Sequence, residues 1–84
     1  MQVHYFAAAR AARGLAEEEI NGPQTLGELV EELSRIEGAT AAGTSLAEVL
    51  QRCTFLVDGE STSDSGYVLA GAARVDVLPP FAGG

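Results

Sequence analysis

One stretch of this chain constrains its fold more than any other. Leu26, Leu29, Val30, Leu33 and Ile36 recur at helical spacing and form a single apolar stripe. Glu28, Glu31, Glu32 and Arg35 take the opposite face, with Glu31 and Arg35 spaced for an i,i+4 ion pair. Thr25 followed three residues later by Glu28 is a capping box, in which the two residues satisfy each other's orphan backbone donors. Gly38 stands where a left-handed residue would close the helix. Gly27, inside the first turn, is expected to cost about 1 kcal/mol relative to Ala. A helix with one apolar stripe has to bury it against another layer.

The rest of the chain supplies that layer as strands. Val3-His4-Tyr5-Phe6 reads as a strand running into Ala7-Ala8-Ala9, followed by a loop that carries Arg10, Arg13 and Gly14. Leu15 to Ile20 reads as a second strand, acidic at Glu17, Glu18 and Glu19 and exposed on one face; Asn21-Gly22-Pro23 ends it. Gly38 to Thr44 is a small-residue loop, and Ser45 with Glu48 repeats the capping box before Leu46, Val49 and Leu50, predicting a short helix. Thr54-Phe55-Leu56-Val57 reads as a strand turned by Asp58-Gly59, and Ser61 to Gly66 as a polar loop. Arg74-Val75-Asp76-Val77-Leu78 alternates polar and apolar residues, the mark of a half-buried strand, and Pro79-Pro80 stops it. The expected order is strand, strand, helix, short helix, strand, a possible short strand, and a final strand. One main helix across a four- to five-stranded sheet is an α+β domain, expected over residues 1–78, with a flexible tail over 79–84.

Size and charge narrow the function. Eighty-four residues hold one small domain. Twelve acidic residues against five arginines and no lysine give a formal net charge of −7. That sign disfavours nucleic acid and anionic membrane, and suits a soluble protein meeting a basic partner. Met1-Gln2-Val3-His4 resembles no targeting leader, and no apolar run approaches the ~20 residues that span a bilayer. The single cysteine, Cys53, has no internal disulfide partner. A cytoplasmic location is expected.

The inventory for catalysis is short. His4 and Cys53 fall short of a closed zinc site; a lone cysteine is more often a small core residue, and His4 a surface strand residue. Glu17-Glu18-Glu19 reads as a solvated strand edge rather than a cation site. No phosphate-cradling glycine loop is present. The chain is expected to catalyse nothing on its own.

The carboxyl terminus carries more information. Pro79-Pro80 is followed by Phe81-Ala82-Gly83-Gly84. Six residues extend to at most ~20 Å, enough to thread a tunnel in another protein. Prolines reduce the entropy lost when such a segment is ordered. Glycines let a narrow channel close on bare backbone, so that the terminal carboxylate alone reaches the reacting centre. A carboxylate becomes an acyl donor once ATP converts it to a mixed anhydride with AMP, and the nucleotide machinery for that belongs to a partner.

Val3-His4-Tyr5-Phe6-Ala7, Thr25-Leu26-Gly27-Glu28-Leu29, Val75-Asp76-Val77-Leu78-Pro79-Pro80 and Phe81-Ala82-Gly83-Gly84 together resemble the MoaD/ThiS sulfur carriers across essentially the whole chain. The likeness is greatest to the small subunit of molybdopterin synthase. This resemblance implies a β-grasp (ubiquitin-like) fold with a mixed sheet. It also implies a cycle: an E1-like adenylyltransferase of the MoeB kind activates Gly84 with ATP, a sulfur-donating enzyme supplies the thiocarboxylate, and the carrier docks on a MoaE-like large subunit. There it would give sulfur to cyclic pyranopterin monophosphate, in a heterotetramer of two small and two large subunits, with no cofactor held tightly by the carrier.

Gly84, with Gly83, is thus the expected reactive end. Strand alternation turns Val3, Tyr5, Val75 and Val77 inward and His4, Phe6, Arg74, Asp76 and Leu78 outward. The first and last strands are neighbours in the resembled fold. Phe6 and Leu78 would then form an apolar spot beside the tail exit, and with Pro79, Pro80, Phe81 and Ala82 the partner-binding surface. Two positions depart from the family pattern. Gly71-Ala72-Ala73-Arg74-Val75 lacks the acidic residue usual before the last strand, and Asp58 stands where Asn is common. Alternative roles are a sulfur carrier for thiazole, cysteine or another product, a ubiquitin-like modifier joined through Gly84, or an inert adaptor.

Overall fold

The computed structural model describes residues 1–36 and 45–80. Eight elements follow along the chain: β1 (Gln2–Tyr5), α1 (Ala7–Arg13), β2 (Glu17–Glu19), α2 (Leu26–Ser34), α3 (Leu46–Leu50), β3 (Thr54–Val57), β4 (Glu60–Thr62) and β5 (Arg74–Leu78). The strands form one five-stranded mixed sheet in the order β2-β1-β5-β3-β4. β1 and β5 run parallel at its centre, and the other pairs are antiparallel. This is the α+β, β-grasp arrangement expected.

The apolar stripe does what its spacing dictates. Leu26, Leu29 and Leu33 are buried with Val3, Tyr5, Val75, Val77, Phe55 and Val57 in one core. Thr25 caps α2 by accepting a hydrogen bond from the Glu28 amide at 3.2 Å. The Glu28 carboxylate, however, accepts from the Gln24 amide at 3.0 Å, one residue earlier than a strict capping box requires. Arg35 and Glu31 pair at 3.2 Å on the outer face. The helix ends at Ser34, and the expected closure at Gly38 lies outside the described residues. Gly27 is a contact rather than a weakness. Its amide donates to the Ser65 carbonyl at 2.8 Å, and a Cβ there would meet that oxygen at 3.0 Å. Close approach of the β4–β5 connection to α2 requires a residue without a side chain.

Three expectations are corrected. Residues 7–13, expected as alanines running into a loop, form α1. Alanine costs a helix least, Ala9 and Ala12 are buried, and Gly14 closes the helix at φ +83° with its amide on the Arg10 carbonyl. Ser61 and Thr62, expected in a loop, pair with β3 across the Asp58-Gly59 turn; as part of a short edge strand they need no apolar face. The second strand is shorter than Leu15 to Ile20, being confined to Glu17–Glu19.

Candidate functional site

The site is built around the C-terminal end of β5. As the central strand it is held on both flanks: Val77 is partnered by Tyr5 and by Phe55, and Leu78 by Thr54. The Phe6 amide donates to the Val77 carbonyl at 3.2 Å, the last such bond on the β1 side. Pro79 and Pro80 have no N–H to extend the ladder, so the chain leaves the sheet here. Val75 and Val77 are fully buried, whereas Leu78 and Pro79 are half-buried and Pro80 is exposed. Phe6 is 39% exposed, large for an aromatic that immediately follows a core strand. Phe81, Ala82, Gly83 and Gly84, the tail positions proposed from the sequence, lie outside the described residues.

Around this exit the structure adds groups that the periodicity did not mark. Leu15, 42% exposed, shares a shallow groove with Ala7, Arg10 and Ala11 on the α1 side. Arg52, two residues before Thr54, lines a separate groove with Val30, Glu31 and Ser63 on the α2 side. The signal for α1 was present in the sequence: two arginines and then a glycine after an alanine run is a helix end.

A polar clasp holds α1 against the sheet beside this rim. Glu18 accepts from the Tyr5 hydroxyl at 2.6 Å and from Arg13 Nε and Nη2 at 2.7 and 2.9 Å. Burial by itself would raise the Glu18 carboxyl, but the hydrogen bonds from Arg13 and Tyr5 and the charge of Arg13 outweigh it and hold it below the ordinary carboxylate range. Tyr5 is shifted upward, by burial first and then by the Glu18 carboxylate. Glu17 and Glu19 are exposed, as a solvated edge should be, but Glu18 is a structural ligand.

Chemistry elsewhere is sparse. The Cys53 thiol donates to the Val49 carbonyl at 3.2 Å, and burial pushes its pKa up to about 11, which keeps it a protonated, weak nucleophile at neutral pH. His4 pairs with Glu17 at 3.2 Å on the other flank of β5. The described residues bring the two into no shared site. They also contain no cluster suited to a metal ion and no helix long and apolar enough to cross a membrane.

The missing acidic residue before β5 is supplied from a distance. The Asp58 carboxylate accepts from the amides of Ala73 at 3.0 Å and Arg74 at 2.9 Å. Asp58 itself sits at φ +48°, a left-handed position that Asp tolerates better than most residues.

Comparison with known proteins decides the family. The ThiS family model matches residues 3–84. The chain belongs to the ThiS family. SAMP1 from Haloferax volcanii has a similar structure, with a TM-score of 0.61 at 20% identity over 99% of this chain and 97% of that one. At that identity the likeness concerns the fold. A search of curated proteins finds no match. Membership of the ThiS family makes this protein one of the sulfur-carrier type, which generally works with E1-like activating enzymes.

Proposed function

We propose that this ThiS-family protein is the sulfur-carrying small subunit of a molybdopterin synthase, acting in the cytoplasm. The observation that supports this reading is the exit itself. A strand clamped on both flanks ends in Pro79-Pro80 beside exposed Phe6 and half-buried Leu78, and the sequence then runs to Gly83-Gly84. Residues 1–78 are the docking body and 79–84 the arm. Phe6, Leu78, Pro79, Pro80, Phe81 and Ala82 contact the partner, and the Gly84 carboxyl is the reacting group.

The chemistry follows in balanced steps. A Gly84 carboxylate oxygen attacks the α-phosphorus of ATP on the E1-like partner, and pyrophosphate leaves. Hydrosulfide supplied by a sulfur-donating enzyme attacks the acyl carbon, and AMP leaves, giving the thiocarboxylate. On the large subunit this sulfide-level sulfur is passed to cyclic pyranopterin monophosphate, twice per product, and water takes its place on the acyl carbon and restores the Gly84 carboxylate, in an assembly of two small and two large subunits. ATP is used by the activating partner, and the carrier holds no tight cofactor. Its own contribution is to place one carboxyl group at the end of a narrow arm, so that catalysis depends on positioning.

Mass spectrometry of the full chain co-produced with its activating enzyme tests this reading. Replacement of one oxygen by sulfur at Gly84, followed by sulfur transfer to the pterin when the large subunit is added, is the expected result. A Gly84 amide to a target amine would instead support the modifier. A thiocarboxylate that the large subunit ignores would support another sulfur-containing product.

A further inference from the structure

We infer that the folded chain withholds its amine and its thiol from its own activated end, so that Gly84, once activated, transfers only to a nucleophile supplied by another protein. This rests on the reading of Gly84 as an acylating group. Amines and thiolates are the side-chain groups that trap an activated acyl carbon most readily. The five basic residues are all arginines, and there is no lysine. A guanidinium stays protonated and has no lone pair to offer. Two strong nucleophiles remain, the Cys53 thiol and the Met1 amine.

Distance protects neither of them. Cys53 stands one residue before Thr54, the register partner of Leu78, close to where the arm departs. Met1 is at the opposite end of the sheet, next to Gln2, which pairs with Arg74 at the start of β5. The length of β5 is about 16 Å, and the arm extends to at most ~20 Å. An arm of that length covers the way back to either group, and a second copy presents both. Protection has to come from how the two groups are held.

Each is held by a different device. The Cys53 thiol donates to the Val49 carbonyl at 3.2 Å from a half-buried position. Burial lifts its pKa to about 11, which leaves on the order of one thiolate in ten thousand at pH 7. The Met1 ammonium donates to Glu19 at 2.5 Å and to Asn21 at 2.8 Å. The Met1 carbonyl accepts from the Ile20 amide at 2.9 Å, and the side chain packs against the core. Attack by the amine therefore requires both of its hydrogen bonds to break in a residue anchored on either side of the nitrogen. Weaker nucleophiles are engaged as well. His4 Nε2 lies 3.2 Å from the Glu17 carboxylate, and the hydroxyls of Tyr5 and Tyr67 donate to Glu18 and Glu60.

The test uses the full-length chain with Gly84 converted to the thioester of 2-mercaptoethanesulfonate, an activated acyl end that needs no activating enzyme. Intact mass spectrometry follows its decay at pH 8. For wild type the expected product is the free carboxylate, formed by hydrolysis, with neither a covalent dimer nor an internally joined chain lighter by one water. Arg52→Lys keeps the charge but adds an exposed amine two residues from Thr54. It should form such adducts at least about tenfold faster than wild type. Glu19→Gln/Asn21→Ala, which frees the Met1 amine, should also form them, to a smaller extent. Should that variant fold poorly by its melting curve, Glu19→Gln alone is read in its place. Wild-type adducts as abundant as those of Arg52→Lys overturn the inference, as does an Arg52→Lys chain that forms none. A freed Met1 amine that reacts no faster overturns the part given to Glu19 and Asn21. Failure of the activating enzyme to adenylate Gly84 counts against the carrier reading alone, because the thioester bypasses that step.

Discussion

The two ends of β5 are built on opposite principles. At its start, polar groups lock the backbone: Asp58 takes two amides from residues 73 and 74, and the neighbouring Met1 ammonium is held by Glu19 at 2.5 Å and Asn21 at 2.8 Å. At its finish the surface is apolar, with Phe6, Leu15, Leu78 and Pro79 around the departing chain. One end fixes where the strand begins, with Val68, 63% exposed, open in a groove beside Asp58 and Gly71; the other locks no backbone and leaves Phe6 and Leu15 uncovered. Uncovered apolar surface stabilises nothing in the isolated chain, and on the proposed reading a partner covers it. On the proposed reading, stability and docking fall to separate ends of the same strand, so each should change without the other.

That separation can be broken or sharpened by substitution. The largest effect is expected from Leu78→Asp, which buries a charge against the partner. Binding to the large subunit, measured by calorimetry, should weaken by about thirtyfold or more, with stability changed by less than about 1 kcal/mol. Equal losses of binding and stability would collapse the distinction between the two ends.

Asp58→Ala should do the reverse. Removing the acceptor for two backbone amides, and placing Ala at a positive φ, should cost about 1–2 kcal/mol in chemical denaturation. Activation of Gly84 should be unchanged in the folded variant. Asp58→Asn, which keeps one acceptor and tolerates the same backbone, should recover much of the loss.

A smaller effect concerns Glu18, whose clasp sits beneath the docking rim. Its folded-state carboxyl is held below the unfolded value, so its contribution is complete above the unfolded range and is lost as pH falls through the lowered one. Wild-type stability should therefore decline on acidification with a component that Glu18→Gln lacks. Parallel acid limbs for the two proteins would remove the clasp from the account.

Legibility in the sequence followed the strength of the local pattern. α2 was readable because a 3.6-residue stripe and a capping threonine agree, and β5 because alternation places Val75 and Val77 opposite Arg74 and Asp76. α1 was missed because alanine carries no amphipathic contrast; Ala9 and Ala12 are buried through packing that the periodicity of an alanine run does not report. β4 was expected as a short strand but not placed, because Glu60, Ser61 and Thr62 take their structure from pairing with β3 rather than from burial. Gly27 was read as a cost because the chain that approaches it, at Ser65, is 38 residues away. Of the candidate site, Phe6, Leu78 and the prolines were readable from strand phase, whereas Leu15 and Arg10 were not. The groove they share with Ala7 depends on α1.

The sequence by itself determined the one-helix-on-sheet class, the inward phase of the central strands and the Pro79-Pro80 to Gly83-Gly84 run on which the proposed chemistry rests. These are local properties, set by side-chain spacing and backbone freedom. Tertiary structure alone decided which described residues lie beside the end of β5 and which of the described carboxylates are paired. Both depend on strands distant in the chain coming into register, and on solvent being excluded differently at the two ends of one sheet.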